Sequence, residues 1–162
     1  IMENRFKELP NRFEGNCFGC SPNNSQGLKM KFWWDGETIS SSLTVPEHLC
    51  GWNRLIHGGV ASTILDEVMS WAAINSTRLM VMTKTMTIDF VNPIYIGDHI
   101  TAEGRVEELC GRHELTTNGC ILDSAGKVCV KSTGHFAVFT QKVAKRMGII
   151  DPATPDPFAD DL

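Results

Sequence analysis

Apolar and polar positions alternate with a period of two from Leu28 to Trp34, where Leu28, Met30, Phe32 and Trp34 share one face and Lys29, Lys31 and Trp33 the other. The turn residues Asp35-Gly36-Glu37 separate this run from a second one, Thr38 to Val45, so the pair predicts a hairpin. Past Pro46 a loop carries His48, Gly51, Trp52 and Asn53, and the period then changes to 3.6. Val60, Ala61, Ile64, Leu65, Val68, Met69, Trp71, Ala72 and Ala73 predict one long helix over about 59–76, opened by His57-Gly58-Gly59. Those positions cover most of the circumference, so protein must surround the helix. A narrow polar strip remains: Ser62, Asp66 and Ser70 at i, i+4 and i+8, with Thr63 and Glu67 beside it. Carboxylates on a mostly buried helix need a reason.

Downstream the period returns to two. Val81 to Val91 places Thr83, Thr85, Thr87 and Asp89 on one face and Met82, Lys84, Met86, Ile88 and Phe90 on the other, and Asn92-Pro93 ends the run. His99 to Leu109, His113 to Asp123 and Val128 to Phe139 add three strands whose short connections make neighbours antiparallel. Residues 1–27, rich in Asn, Gly and Pro, read as an irregular lead-in, 28–140 as the domain, and 141–162 as a peripheral or mobile tail. The order β-β-α-β-β-β-β is α+β: a long central helix wrapped by a curved antiparallel sheet of about six strands. Sheet edges and the helix's polar strip are then left to meet a second subunit, so a dimer is expected.

The 162 residues suit one domain. A formal charge of -4 without any dense basic stretch speaks against nucleic acid as a partner. No apolar run approaches the roughly 18 residues of a membrane span, and Ile1 to Lys7 lacks the apolar block of a secretory signal, so no membrane partner and a cytoplasmic location are expected. Six cysteines in a domain with a full apolar core are expected to be free thiols. Cys17-Phe18-Gly19-Cys20 has metal-ligand spacing, and Cys50, His48 or His57 could complete four positions. No second closely spaced pair accompanies it, so half a zinc site stands alone and no metal is expected.

The stretch His57-Gly58-Gly59-Val60-Ala61-Ser62-Thr63-Ile64-Leu65-Asp66-Glu67, followed by Met86 to Pro93 and Ile96-Gly97-Asp98, resembles the hotdog-fold acyl-CoA thioesterases of the PaaI-like group. Cys17 to Cys20 with Asn23 to Leu28 resembles an N-terminal element of that group. The resemblance implies a hotdog fold, a homodimer or dimer of dimers, active sites at the subunit interface, and hydrolysis of acyl-CoA with no cofactor beyond the coenzyme A of the substrate. A non-catalytic acyl-CoA sensor on the same dimer is the alternative.

Thioester hydrolysis needs donors where the carbonyl oxygen becomes negative and a base for the attacking water. Gly58 and Gly59 open the helix, where free N–H groups and the positive dipole end can receive an oxyanion, although a glycine pair can equally be a tight turn. Periodicity leaves Asp66 and Glu67 both open as the carboxylate; the resemblance chooses Asp66 as general base or nucleophile. It also points to Thr83 as a hydroxyl orienting water, where an ordinary strand threonine is the other reading. His57 either orients the thioester or caps the loop, the structural role being favoured. Thr85, Asn92, Arg112 and His113 are the candidates for coenzyme A contacts. One departure stands out: some relatives carry Asn or Gln six positions before the histidine, and this chain has Gly51.

Overall fold

The computed structural model describes residues 6–11 and 15–156. Its elements are β1 (Lys7–Leu9), β2 (Phe32–Trp34), β3 (Ile39–Thr44), a 3-10 turn at Glu47–Leu49, α1 (Gly58–Thr77), β4 (Met80–Phe90), β5 (His99–Leu109), β6 (Glu114–Leu122), β7 (Val128–Phe139) and α2 (Gln141–Arg146). Seven strands form one antiparallel sheet in the order β1-β2-β3-β5-β6-β7-β4. The extra strand relative to the expected six is β1, three residues of the lead-in paired with β2.

The first predicted strand is shorter than its alternation implies. Lys29 sits at φ 52, a left-handed conformation that no strand continues through. The amides of Leu28 and Met30 instead donate to the Phe18 and Gly19 carbonyls at 2.8 and 2.9 Å. Residues 28–30 therefore serve the lead-in, and pairing with β3 starts at Trp33.

The sheet curls round α1, which packs against β3 through β7 and most closely on β5. Ala61, Ile64, Leu65, Val68, Met69 and Ala73 are buried on the helix against Ile39, Ile100, Ala102, Leu115, Ile121 and Phe136 of the sheet. Each large side chain fully buried there contributes roughly 1.5–3 kcal/mol. Contact is close enough to require glycine: a Cβ on Gly104 would lie 2.5 Å from the Val68 carbonyl oxygen. Its cross-strand partner Gly119 would place one 2.9 Å from Met69 Cγ. Arg78, at φ 56, ends the helix by donating its N–H to the Ile74 carbonyl at 2.8 Å.

The described part of the tail, 141–156, is more anchored than its composition implies, and 157–162 lie outside the described residues. Thr140 caps α2, Ala144 is fully buried, and the Gln141 amide donates to the carbonyls of Thr154 and Pro155. The architecture is the expected hotdog arrangement: one long helix held in a curved antiparallel sheet. Among the described residues no helix is long and apolar enough to cross a membrane.

Candidate active site

The opening of α1 is held by its own cap. His57 takes extended backbone angles, and its Nδ1 accepts the Gly59 N–H at 2.9 Å. That bond corrects the expected pair of oxyanion donors: Gly59's amide is engaged by the His57 ring. Gly58's amide has no acceptor among the described residues, as suits a first-turn N–H. Gly58 also lines a groove of about 430 Å³ with Leu55, Ile56, Ala61, Phe90 and Ile94. An ideal Cβ on Gly58 would stand 3.5 Å from Phe90 Cζ, so the helix start and the end of β4 form one apolar corner. Gly51 lies against this cap, since a Cβ there would meet His57 Cα at 3.0 Å. The glycine that departs from the relatives thus makes room for the histidine.

β4 carries a bulge that strict alternation cannot show. Thr83 pairs with Phe136 and Thr85 with His135, leaving Lys84 as the extra residue. Opposed residues share a face, so Thr83 points with buried Phe136 toward α1, whereas Thr85 points outward with exposed His135. The expected grouping of Thr83 with Thr85, Thr87 and Asp89 is therefore wrong by one residue at its start. Beyond the bulge Met86 and Ile88 pack on the core, and Phe90 continues that face to the groove. Phe90 was not foreseen as a lining residue, although the alternation already put it on one face with Met86 and Ile88.

Turned inward, the Thr83 hydroxyl donates to Asp66 Oδ1 at 2.5 Å. Asp66 is half-buried and Thr83 is exposed, so the pair sits where solvent or a ligand can reach it. Ser62 and Thr63 on the same strip return their hydroxyls to the carbonyls of Gly58 and Gly59 and are satisfied within the helix.

Glu67 faces a different neighbourhood. Cys17 Sγ lies 3.4 Å from Glu67 Oε1, and the backbone of Gly19 is pressed so closely on the carboxylate that a Cβ would come within 2.4 Å of Glu67 Cδ, Cγ and Oε1. Burial pushes the Glu67 carboxyl up from its ordinary value, against hydrogen bonds from Cys20, Cys17 and the Trp71 indole. Burial also pushes the Cys20 thiol up, helped by the negative fields of Glu67 and Cys17. None of the groups acting on either residue is cationic.

The four expected coenzyme A contacts do not converge within one chain. Asn92 ties the end of β4 to β7, its amide donating to the Val128 carbonyl at 2.7 Å. Arg112 and His113 are exposed in the β5–β6 connection, where the His113 carbonyl accepts from Val138. The register puts that connection beside the first residues of β4, nine to ten positions and roughly 30 Å of strand from Asn92. Thr85 lies on the outer face between them. Neighbouring Lys84 is ion-paired to Glu114 at 2.5 Å.

A helix terminus with an unengaged amide at an apolar groove, and a hydroxyl-bound carboxylate farther along the same helix, are thus set in a hotdog fold. Residues 53–130 match the thioesterase superfamily. Among solved structures, a thioesterase superfamily protein is 25% identical with a TM-score of 0.65; the match covers 72% of this chain and 57% of that one. This chain thus spans little more than half of that protein's length. The PaaI protein of the phenylacetic acid degradation operon of E. coli is 24% identical, with a TM-score of 0.60 and coverage of 65% and 75%. A hypothetical thioesterase of Streptococcus pneumoniae, solved with coenzyme A, is 20% identical, with a TM-score of 0.60 and coverage of 65% and 80%. No curated protein matches.

Proposed function

We propose that this protein hydrolyses acyl-CoA thioesters to a free acid and coenzyme A. The Asp66–Thr83 pair carries the reading. By donating to Oδ1, the Thr83 hydroxyl holds the carboxylate and keeps its own oxygen lone pairs available to a water. Oδ2 then accepts that water's proton as its oxygen bonds to the thioester carbon. The carbonyl oxygen becomes negative and receives the Gly58 N–H at the positive end of α1. Collapse of the tetrahedral adduct breaks the C–S bond, and the departing thiolate takes up the proton held by Asp66.

Helix geometry decides how many chains this needs. Asp66 follows Gly58 by eight residues, about 12 Å of rise, so one chain's amide and carboxylate cannot meet on a single carbonyl. A complete site pairs Gly58 of one protomer with Asp66 of a second. β4 is the terminal strand of the sheet, eleven residues long, with Met82, Phe90 and Val91 exposed beside it, and such an edge is normally covered. It is the surface on which a second copy completes the site, forming a homodimer or a dimer of dimers. The chemistry asks for no cofactor apart from the substrate's coenzyme A, and a cytoplasmic location fits such a substrate.

The engagement of Gly59's amide by His57 favours a second reading, a dimer that binds acyl-CoA without cleaving it, because one oxyanion donor is fewer than the helix could offer. Turnover of a panel of acyl-CoA esters, followed as free thiol release, separates the two. Cleavage of at least one ester, abolished in Asp66→Asn, supports the hydrolase; stoichiometric binding with no thiol release supports the sensor.

A further inference from the structure

We infer that Cys17, Cys20 and Glu67 form a binding site for a divalent transition-metal ion of zinc type. The two cysteines have the spacing of one half of a zinc site, and what their sequence context lacks is a third ligand. The fold supplies it from the helix: the two sulfurs and a Glu67 carboxylate oxygen all lie within 4.8 Å of one another. A tetrahedral zinc ion with Zn–S of about 2.3 Å and Zn–O of about 2.1 Å would set sulfur–oxygen separations near 3.6 Å and sulfur–sulfur separations near 3.8 Å. The Cys17 Sγ to Glu67 Oε1 distance is 3.4 Å, so the ion enters without moving the helix.

The surroundings match a ligand set in three respects. Trp71, one turn farther along α1, hydrogen-bonds to Glu67 with its indole and helps to fix the carboxylate, the task that outer partners perform at metal sites. Its ring is in turn locked by stacking on Phe32, with centroids 4.7 Å apart. The Cys-x-x-Cys segment is folded over the helix as a turn, the Ser21 amide donating to the Cys17 carbonyl at 3.1 Å, and Gly19 lets the backbone lie flat on Glu67. Cys17 is exposed and gives the ion a way in.

Thiolates with a carboxylate select zinc or a similar borderline-soft ion over magnesium or calcium. Three protein ligands leave the fourth tetrahedral position to water. Residues 15–28 form no helix or strand, so the ion acts as a staple binding this segment to α1. Cys50, His48 and His57, the ligands that sequence spacing offered, take no part in the cluster.

The test uses the full chain, purified under reducing conditions without chelator. Zinc content is measured by elemental analysis, and affinity by competition with a chromophoric chelator. Cobalt(II) is added to metal-free protein to look for the intense thiolate-to-cobalt charge-transfer absorption of a sulfur-ligated tetrahedral site. About one zinc per chain is expected. Cys17→Ser and Cys20→Ser should each weaken binding by more than the roughly 10- to 100-fold that follows loss of an outer-shell partner. Glu67→Gln should weaken it while keeping the charge-transfer band, whereas Cys50→Ser and Cys110→Ser should bind as the parent chain does. The cobalt spectrum of the unaltered chain decides the matter even if a variant fails to fold. Absence of charge transfer, zinc that follows Cys50 instead of Cys17 and Cys20, or fully reduced protein that takes up no zinc would each overturn the proposal.

Discussion

Asp66 and Glu67 are consecutive carboxylates on one helix, yet they belong to different regions of the molecule. A step of one residue turns a side chain by about 100°, enough to carry it from one neighbour to another. Asp66 reaches the bulged start of β4, where a threonine hydroxyl holds it near solvent. Glu67 is pressed beneath the cysteine loop, where burial disfavours its charge. Identical functional groups thereby meet different surroundings: the accessible carboxylate is the one to which the proposed mechanism gives the water's proton, and the enclosed one lies against a segment of chain.

The contrast breaks most sharply under exchange of charge for amide. Asp66→Asn should lower kcat for acyl-CoA hydrolysis by roughly 10²- to 10⁴-fold, the worth of a positioned general base, with the unfolding midpoint little changed. Glu67→Gln should keep turnover within a few-fold. The reverse pattern in steady-state assays would move the base to Glu67.

Next in size is the loop that covers Glu67. Gly19→Ala places a Cβ onto the carboxylate and should cost about 1–3 kcal/mol as loop and helix are forced apart, read from urea unfolding. Catalysis per folded molecule should persist, because Asp66 faces the other way. A loss of kcat at unchanged stability would show that the two regions are coupled.

Thr83→Val sharpens the Asp66 side. Removing a hydroxyl that donates to a charged acceptor is worth ~1.5 kcal/mol, so kcat should fall about tenfold, and Thr83→Ser should restore it. Equal rates in the valine and serine variants would make Thr83 an ordinary strand residue.

The smallest effect lies one residue away. Lys84 lowers the Glu114 carboxyl below its ordinary value of 4.5, chiefly by hydrogen bonding to it and then by charge. A folded-state value below the unfolded one means that the pair's contribution is present above about pH 4.5 and disappears as pH falls through the lowered value. Both side chains are well exposed, so Lys84→Met should lower the neutral-pH melting temperature only slightly, and the difference from the parent chain should vanish as pH falls through the lowered Glu114 value. A large shift at neutral pH, or one that persists in acid, would mean that Lys84 has another task.

Much of this architecture was legible in the chain. Nine apolar positions round one helix demanded an enclosing sheet, and α1 runs from Gly58 to Thr77 against an expected 59–76. β5, β6 and β7 match their predicted runs to within a residue at each end, because period-two patterning reports burial directly. Local spacing made His57 a candidate cap and left Asp66 and Glu67 both open as the carboxylate; the choice of Asp66 came from the family resemblance.

Tertiary structure decided what local patterns leave degenerate. The bulge at Lys84 comes from pairing with β7, and it alone turns Thr83 toward Asp66 and Thr85 away. The engagement of Gly59's amide depended on the rotamer of His57, and the meeting of Cys17 and Cys20 with Glu67 on a chain reversal spanning 50 residues. Periodicity reports whether a residue is buried; which groups meet across the sheet is set by register and close packing, and those exist only once the chain has folded.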